Sequence, residues 1–204
     1  MTILVFKVRF EKPKVIEKIV ERVVIQKEFI PEPSSAPLKP IQKDSPPELK
    51  PTYHPFQTGN ALETSTHYGA DIEARFTGDE AQRILLIAYD LGSGKWVQVY
   101  QSMEADLSPF SKVEFSYKGE GSANTLELKI VDANGSGFGA RWDQGTRKPS
   151  WTSVGIPLAQ LKRLSGGDNV MDWKHVRQLV IIISRKKGDE GGPGAIQIKG
   201  LTIL

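Results

Sequence analysis

The chain has no cysteine among its 204 residues. That excludes disulfide bridges, thiol nucleophiles and thiolate-bound zinc, and leaves the redox compartment open. No apolar run approaches the ~18 residues of a membrane-spanning helix. Thr2–Phe6 is too short for the apolar core of a secretory signal, so no leader is expected in this chain. His54, His67 and His175 are the three histidines, and none stands four residues from another, so no metal site is expected from them. Glycine is absent from the first 58 residues, although the chain has 19. Charge is nearly balanced. Of 27 basic and 24 acidic residues, 17 of each lie in residues 53–204, which leaves an excess of three cations for residues 1–52. Residues 53–204 carry no net positive charge, which argues against nucleic acid as their partner.

These absences divide the chain in two. Met1–Phe10 alternates as a short strand would, and Pro13 interrupts it. From Val15 to Ile25 apolar pairs recur every four residues, with charged pairs between them. That spacing favours an amphipathic helix, although the β-branched residues also suit a strand. Its apolar stripe, Ile16, Ile19, Val20 and Val23, can dock on the remainder of its own chain, on a membrane surface or on a partner. We expect a protein partner, bound through residues 1–52. Pro31 to Pro55 holds eight of the 13 prolines and reads as an extended linker. The expected organisation is an N-terminal arm over 1–30, a Pro-rich linker over 31–57 and a β-domain over 58–204.

The β-domain is organised around Asn124–Pro157. Leu126, Leu128 and Ile130 alternate with polar residues, as in a half-buried strand. Asp132–Gly135 supplies a turn, Phe138–Trp142 a returning strand, and Trp151–Pro157 a strand closed by proline. Further strands are expected near Thr66–Phe76, over ILLIAYDL, at Lys95–Tyr100, Lys112–Lys118 and Val176–Ser184, and from Ala195 to the end. Leu158–Leu164 suggests one or two helical turns. Lys186–Gly194 reads as a solvated loop whose charges balance. Many short strands with turn signals between them predict an all-β fold, an antiparallel β-sandwich or jelly roll. Leu126, Leu128, Ile130, Val180 and Ile182 are expected to face the core between the sheets.

Carboxylates are scattered. Asp132 sits where a turn residue bonds backbone amides, and a catalytic pair with Asp143 has no second position to complete it, so no catalytic residue is expected. The glycine clusters lack the lysine and helix of a phosphate loop. Trp151 and Trp173 are expected to pack with the core. Trp96, Gln98 and Tyr100 share one strand face, and Arg141 and Asp143 flank Trp142. Aromatic rings beside polar side chains suit sugars, whose C–H faces stack while their hydroxyls hydrogen-bond. These six residues are the candidate ligand platform.

The runs RILLIAYDLGSGKWVQVYQSM, DLSPFSKVEFSYKGEGSANTLELKIVDANGSGF, SWTSVGIPLAQL, HVRQLVIIIS and GAIQIKGLTI together resemble the galactose-binding-like jelly roll. More narrowly, they are similar to the carbohydrate-binding modules appended to bacterial glycoside hydrolases, and to the related domain of the mitochondrial complex I assembly factor. The resemblance covers about residues 58–204. The fold it implies hosts sugar binders, protein binders and assembly factors alike, and the resemblance leans to an extracytoplasmic location. With the N-terminal arm, the expected reading is a non-catalytic accessory subunit tethered to a larger assembly; the alternative is a glycan-binding module. The resemblance also implies a structural calcium held by an acidic residue in the last strand. Lys199 and Gly200 stand where those acids belong, and a lysine opposes a hard cation, so no cofactor is expected.

Overall fold

The computed structural model describes residues 51–57, 61–79 and 83–204. The stripe Ile16, Ile19, Val20 and Val23, and the linker as far as residue 50, lie outside the described residues. Eleven strands follow in order: β1 (Glu63–Thr66), β2 (Asp71–Thr77), β3 (Ile84–Asp90), β4 (Trp96–Ala105), β5 (Lys112–Gly121), β6 (Thr125–Asp132), β7 (Gly137–Trp142), β8 (Lys148–Pro157), β9 (Lys162–Ser165), β10 (Val176–Ser184) and β11 (Pro193–Ile203). They build a six-stranded sheet ordered β1-β4-β10-β6-β7-β9 and a five-stranded sheet ordered β2-β3-β11-β5-β8. Every pairing is antiparallel. The architecture is the expected jelly-roll β-sandwich.

Period-2 alternation sets the two inner faces. Leu85, Ile87, Tyr89, Phe115, Ile196 and Ile198 bury from the five-stranded sheet; Val97, Val99, Leu126, Leu128 and Ile130 bury from the six-stranded one. Each such aliphatic side chain contributes about 1.5–3 kcal/mol when removed from water.

The parity expected for β10 is corrected. Leu179, Ile181 and Ile183 pair with Ile130, Leu128 and Leu126 and share the core with them. Val180 and Ile182 therefore point away from that core, in register with Lys129 and Glu127, although Val180 is itself buried there. The strand is apolar on both faces, so alternation cannot tell them apart; only the pairing with β6 does.

Two further expectations change. The strand expected over Thr66–Phe76 is two, because His67–Ala70 turns the chain from one sheet to the other. Only Leu158–Gln160 is helical in the stretch that follows β8, as one 3-10 turn, and β9 takes the rest.

The sandwich reaches back to Tyr53. Its N–H donates to the Ile203 carbonyl at 2.9 Å, and Ile203 donates back at 2.8 Å. Phe56 is buried in the core cluster.

Candidate functional site

The side chains that point outward from the five-stranded sheet enclose a cleft of about 760 Å3. Its floor is one row across four strands. Ile84 of β3 pairs with Lys199 of β11, Lys199 with Ser116 of β5, and Ser116 with Ser153 of β8. Three inter-strand spacings make that row roughly 14 Å wide. The Ser116 and Ser153 hydroxyls bond each other at 3.1 Å. Glu114 and Gly155 form the next row, and Arg83 closes one end.

Trp151 forms the wall at the edge strand. Thr152, Val154 and Ile156 are half-buried toward the core, so alternation turns Trp151 and Ser153 outward. Pairing between β5 and β8 shifts between Tyr117 and Gly119, which places Trp151 at an irregularity. The indole remains 37% exposed. Two lysines reach it across the sheet, with Lys199 Nζ 4.2 Å and Lys118 Nζ 5.3 Å from the ring centroid. A second register shift follows Lys199, where Gly200 takes φ +63°. That left-handed conformation suits glycine and bends β11 beside the cleft. Hydroxyls, a carboxylate, cations and an open indole thus share one concave surface. Such a surface can stack a ring and hydrogen-bond its substituents.

Trp151 therefore does not pack under the sandwich, as was expected of a residue that begins a strand closed by proline. Its partners explain why it was missed. Lys118 and Lys199 stand 33 positions before it and 48 after it, and only the pairing of β5 with β8 and β11 brings them together.

The six candidate platform residues are dispersed. Trp96, Gln98 and Tyr100 line the outward side of β4, on the other sheet. Arg141 shares that face, but Ile182 and Glu127 stand between it and Gln98 in register. Its guanidinium is engaged with Glu127 at 3.4 Å. Trp142 points the opposite way, into the core, against Phe115 at 5.7 Å and Tyr117 at 6.3 Å between ring centroids. Asp143 is exposed in the following turn. Adjacent residues on a strand face opposite sides, so Arg141 and Trp142 cannot both belong to one platform.

Three carboxylates near these faces have structural work. Glu127 is almost fully buried and accepts from Ser184 Oγ at 2.9 Å and Lys186 Nζ at 3.1 Å. Burial alone would raise its pKa, but these donors and Arg141 outweigh it and hold it below the usual glutamate value. Asp132 is 2% exposed and accepts amide bonds from Asn134, Ser136 and Asp172, each at 2.9 Å. A carboxylate so engaged is not a general base. Asp189 accepts from the Thr125 amide and hydroxyl and from the Lys186 amide, so the loop expected to be merely solvated is fastened to β6. Among the described residues, no group of three or more His, Asp or Glu side chains could hold a metal.

No protein-family model matches the sequence, and no curated protein matches it. Solved structures do match. The family 11 carbohydrate-binding module from Clostridium thermocellum, in complex with a β-1,3-1,4-mixed-linked tetrasaccharide, superimposes with a TM-score of 0.60 at 16% identity, covering 75% of this chain and 94% of that one. The family 30 module of the cellulosomal cellulase Cel9D-Cel44B of the same organism gives 0.52 at 16% identity, covering 71% and 91%. An exo-β-agarase gives 0.51 at 12% identity, over 70% of this chain but only 23% of the enzyme. At these identities the likeness concerns the fold. Among the described residues no helix is long and apolar enough to cross a membrane. The chain carries a jelly-roll β-sandwich similar in fold to bacterial carbohydrate-binding modules.

Proposed function

We propose that this chain is a non-catalytic glycan-binding subunit whose ligand lies in the Trp151 cleft. The observation that carries the reading is the exposed indole on a concave sheet face, beside Ser116, Ser153 and Glu114. The exposed part of the indole offers a flat apolar surface on which a pyranose face can stack. The platform of Trp96, Gln98 and Tyr100 with Arg141 is the competing location. It is disfavoured because Arg141 is already paired and Trp142 belongs to the core. A glycan array probed with the full chain tests this. Trp151→Ala is expected to abolish binding with little change in melting temperature. Trp96→Ala or Tyr100→Ala should leave binding intact. The opposite pattern would return the site to the six-stranded sheet.

Residues 1–52 carry the second part of the proposal, a tether to a protein partner. A sandwich already provided with its own core does not need the stripe of Ile16, Ile19, Val20 and Val23, and leaving it in water wastes several kcal/mol at ~25 cal/mol per Å2. Deletion of 1–52 keeps Tyr53 and its bonds to Ile203. The truncated protein should therefore melt within a few degrees of the full chain, yet elute free of the partner chain expected to co-purify with the full chain. Ile19→Glu with Val23→Glu should release it likewise. Unfolding of the truncated protein would assign the arm to the core. Retention in the assembly would assign the contact to the jelly roll.

A further inference from the structure

We infer that the Trp151 cleft selects an acidic polysaccharide, one bearing carboxylate or sulfate groups, over a neutral one. The inference rests on the glycan reading above and names the class of glycan. Its basis is positive charge without a carboxylate partner: Lys118 and Lys199 lie over the Trp151 ring and Arg83 over the Phe76 ring. Lys118, Lys199 and Arg83 stand around the cleft, and among the described residues none lies within ion-pair distance of a carboxylate. Glu114 is the one acid of the lining, and Lys112 occupies it at 2.7 Å. Among the described residues, three cations without a carboxylate partner thus gather on one face of a domain, residues 53–204, whose basic and acidic residues balance at 17 each.

The lysines are held by the same ring that would hold the sugar. Their stems cross the sheet surface, and their ammonium groups sit 4.2 and 5.3 Å from the indole centroid. A ligand entering the cleft must displace water from these groups. A neutral pyranose would leave the ammonium groups partly desolvated and without a counter-charge, which opposes binding. A uronate or sulfated residue would replace the lost water with charge-assisted hydrogen bonds, about twice as strong as neutral ones. Its ring would still stack on the indole, and its remaining hydroxyls would still meet Ser116 and Ser153.

The test is affinity electrophoresis and calorimetry of the full chain with four probes: polygalacturonate, a sulfated galactan, neutral mixed-linkage β-glucan and single-stranded DNA. At least one acidic polysaccharide should bind tenfold or more tightly than the β-glucan, and comparison of the two identifies the carboxylate or the sulfate as the group recognised. Binding should weaken as salt rises from 0.05 to 0.5 M, because screening shortens the reach of these charges. Lys118→Gln with Lys199→Gln should cost the acidic probe tenfold or more, with melting temperature unchanged. The salt series on the unaltered chain gives the same discrimination without any variant. β-Glucan bound as tightly as the acidic probes, and indifferent to both lysines, would overturn the preference while leaving the glycan reading standing. DNA bound as tightly as the polysaccharides would mean a general cationic surface and would overturn the inference. Failure of all the glycans would overturn both.

Discussion

Asp132→Ala is expected to destabilise the sandwich by about 3 kcal/mol or more, because it leaves three amide donors without their acceptor at roughly 1–3 kcal/mol each. Asp132 ends β6, and its two carboxylate oxygens divide between two segments. Oδ1 accepts from Asn134 and Ser136 in the turn to β7, and Oδ2 accepts from Asp172 in the loop before β10. Ser136 extends the link by accepting from the Asp168 amide at 2.9 Å. One side chain thus fastens the β6–β7 turn to a loop some forty positions away. Urea unfolding should register the loss as a lower midpoint at unchanged slope. A loss under 1 kcal/mol would mean that water replaces the carboxylate freely.

The same residue predicts an acid limb. Burial tends to raise the Asp132 pKa, but the amide bonds from Asp172, Ser136 and Asn134 outweigh it and leave it below the ordinary aspartate value. A depressed folded pKa contributes stability that is fully present above the unfolded value, near 3.9, and is lost as pH falls through the folded one. Glu127 acts in the same direction. Asp132→Asn should therefore flatten the decline of stability below about pH 4.

The second large effect is expected at Trp142. Trp142→Ala should cost about 3–5 kcal/mol, the usual range for truncating a packed aromatic. The indole lies edge-on to Phe115, at 5.7 Å and 84°, and opposite Leu126 in register. Such aromatic pairs add about 0.5–1.5 kcal/mol to their buried area. Trp142→Phe should recover part of the loss. The contrast with Trp151 is the useful outcome, since one tryptophan is expected to move stability and the other binding. Trp142→Ala with unchanged unfolding and lost glycan binding would place its ring against the ligand.

That contrast also marks how far the sequence could be read. Alternation in β4, β5 and β6 was legible because polar residues separate the apolar ones, as in Lys112–Tyr117 and Thr125–Ile130. From it followed the sandwich, its antiparallel sheets and most of its core. β10 was not legible in the same way, because Leu179–Ile183 is apolar on both faces and its parity exists only in the pairing with β6. The cleft was harder still. Neighbours in sequence suggested Arg141–Trp142–Asp143, but neighbours on a strand point to opposite sides. The residues that meet around Trp151 come from β3, β5, β8 and β11, and nothing local in any of those strands announces the others.

The proposed glycan site is the outward face of the five-stranded sheet. Backbone amide chemical shifts of the full chain, recorded while an acidic oligosaccharide is added, test it most directly. The largest changes are expected at Glu114–Lys118, Trp151–Gly155 and Gln197–Gly200, with the Trp151 indole N–H among them. Changes confined to Trp96–Tyr100, Glu127–Lys129 and Arg141 would place the ligand on the other sheet and contradict the claim.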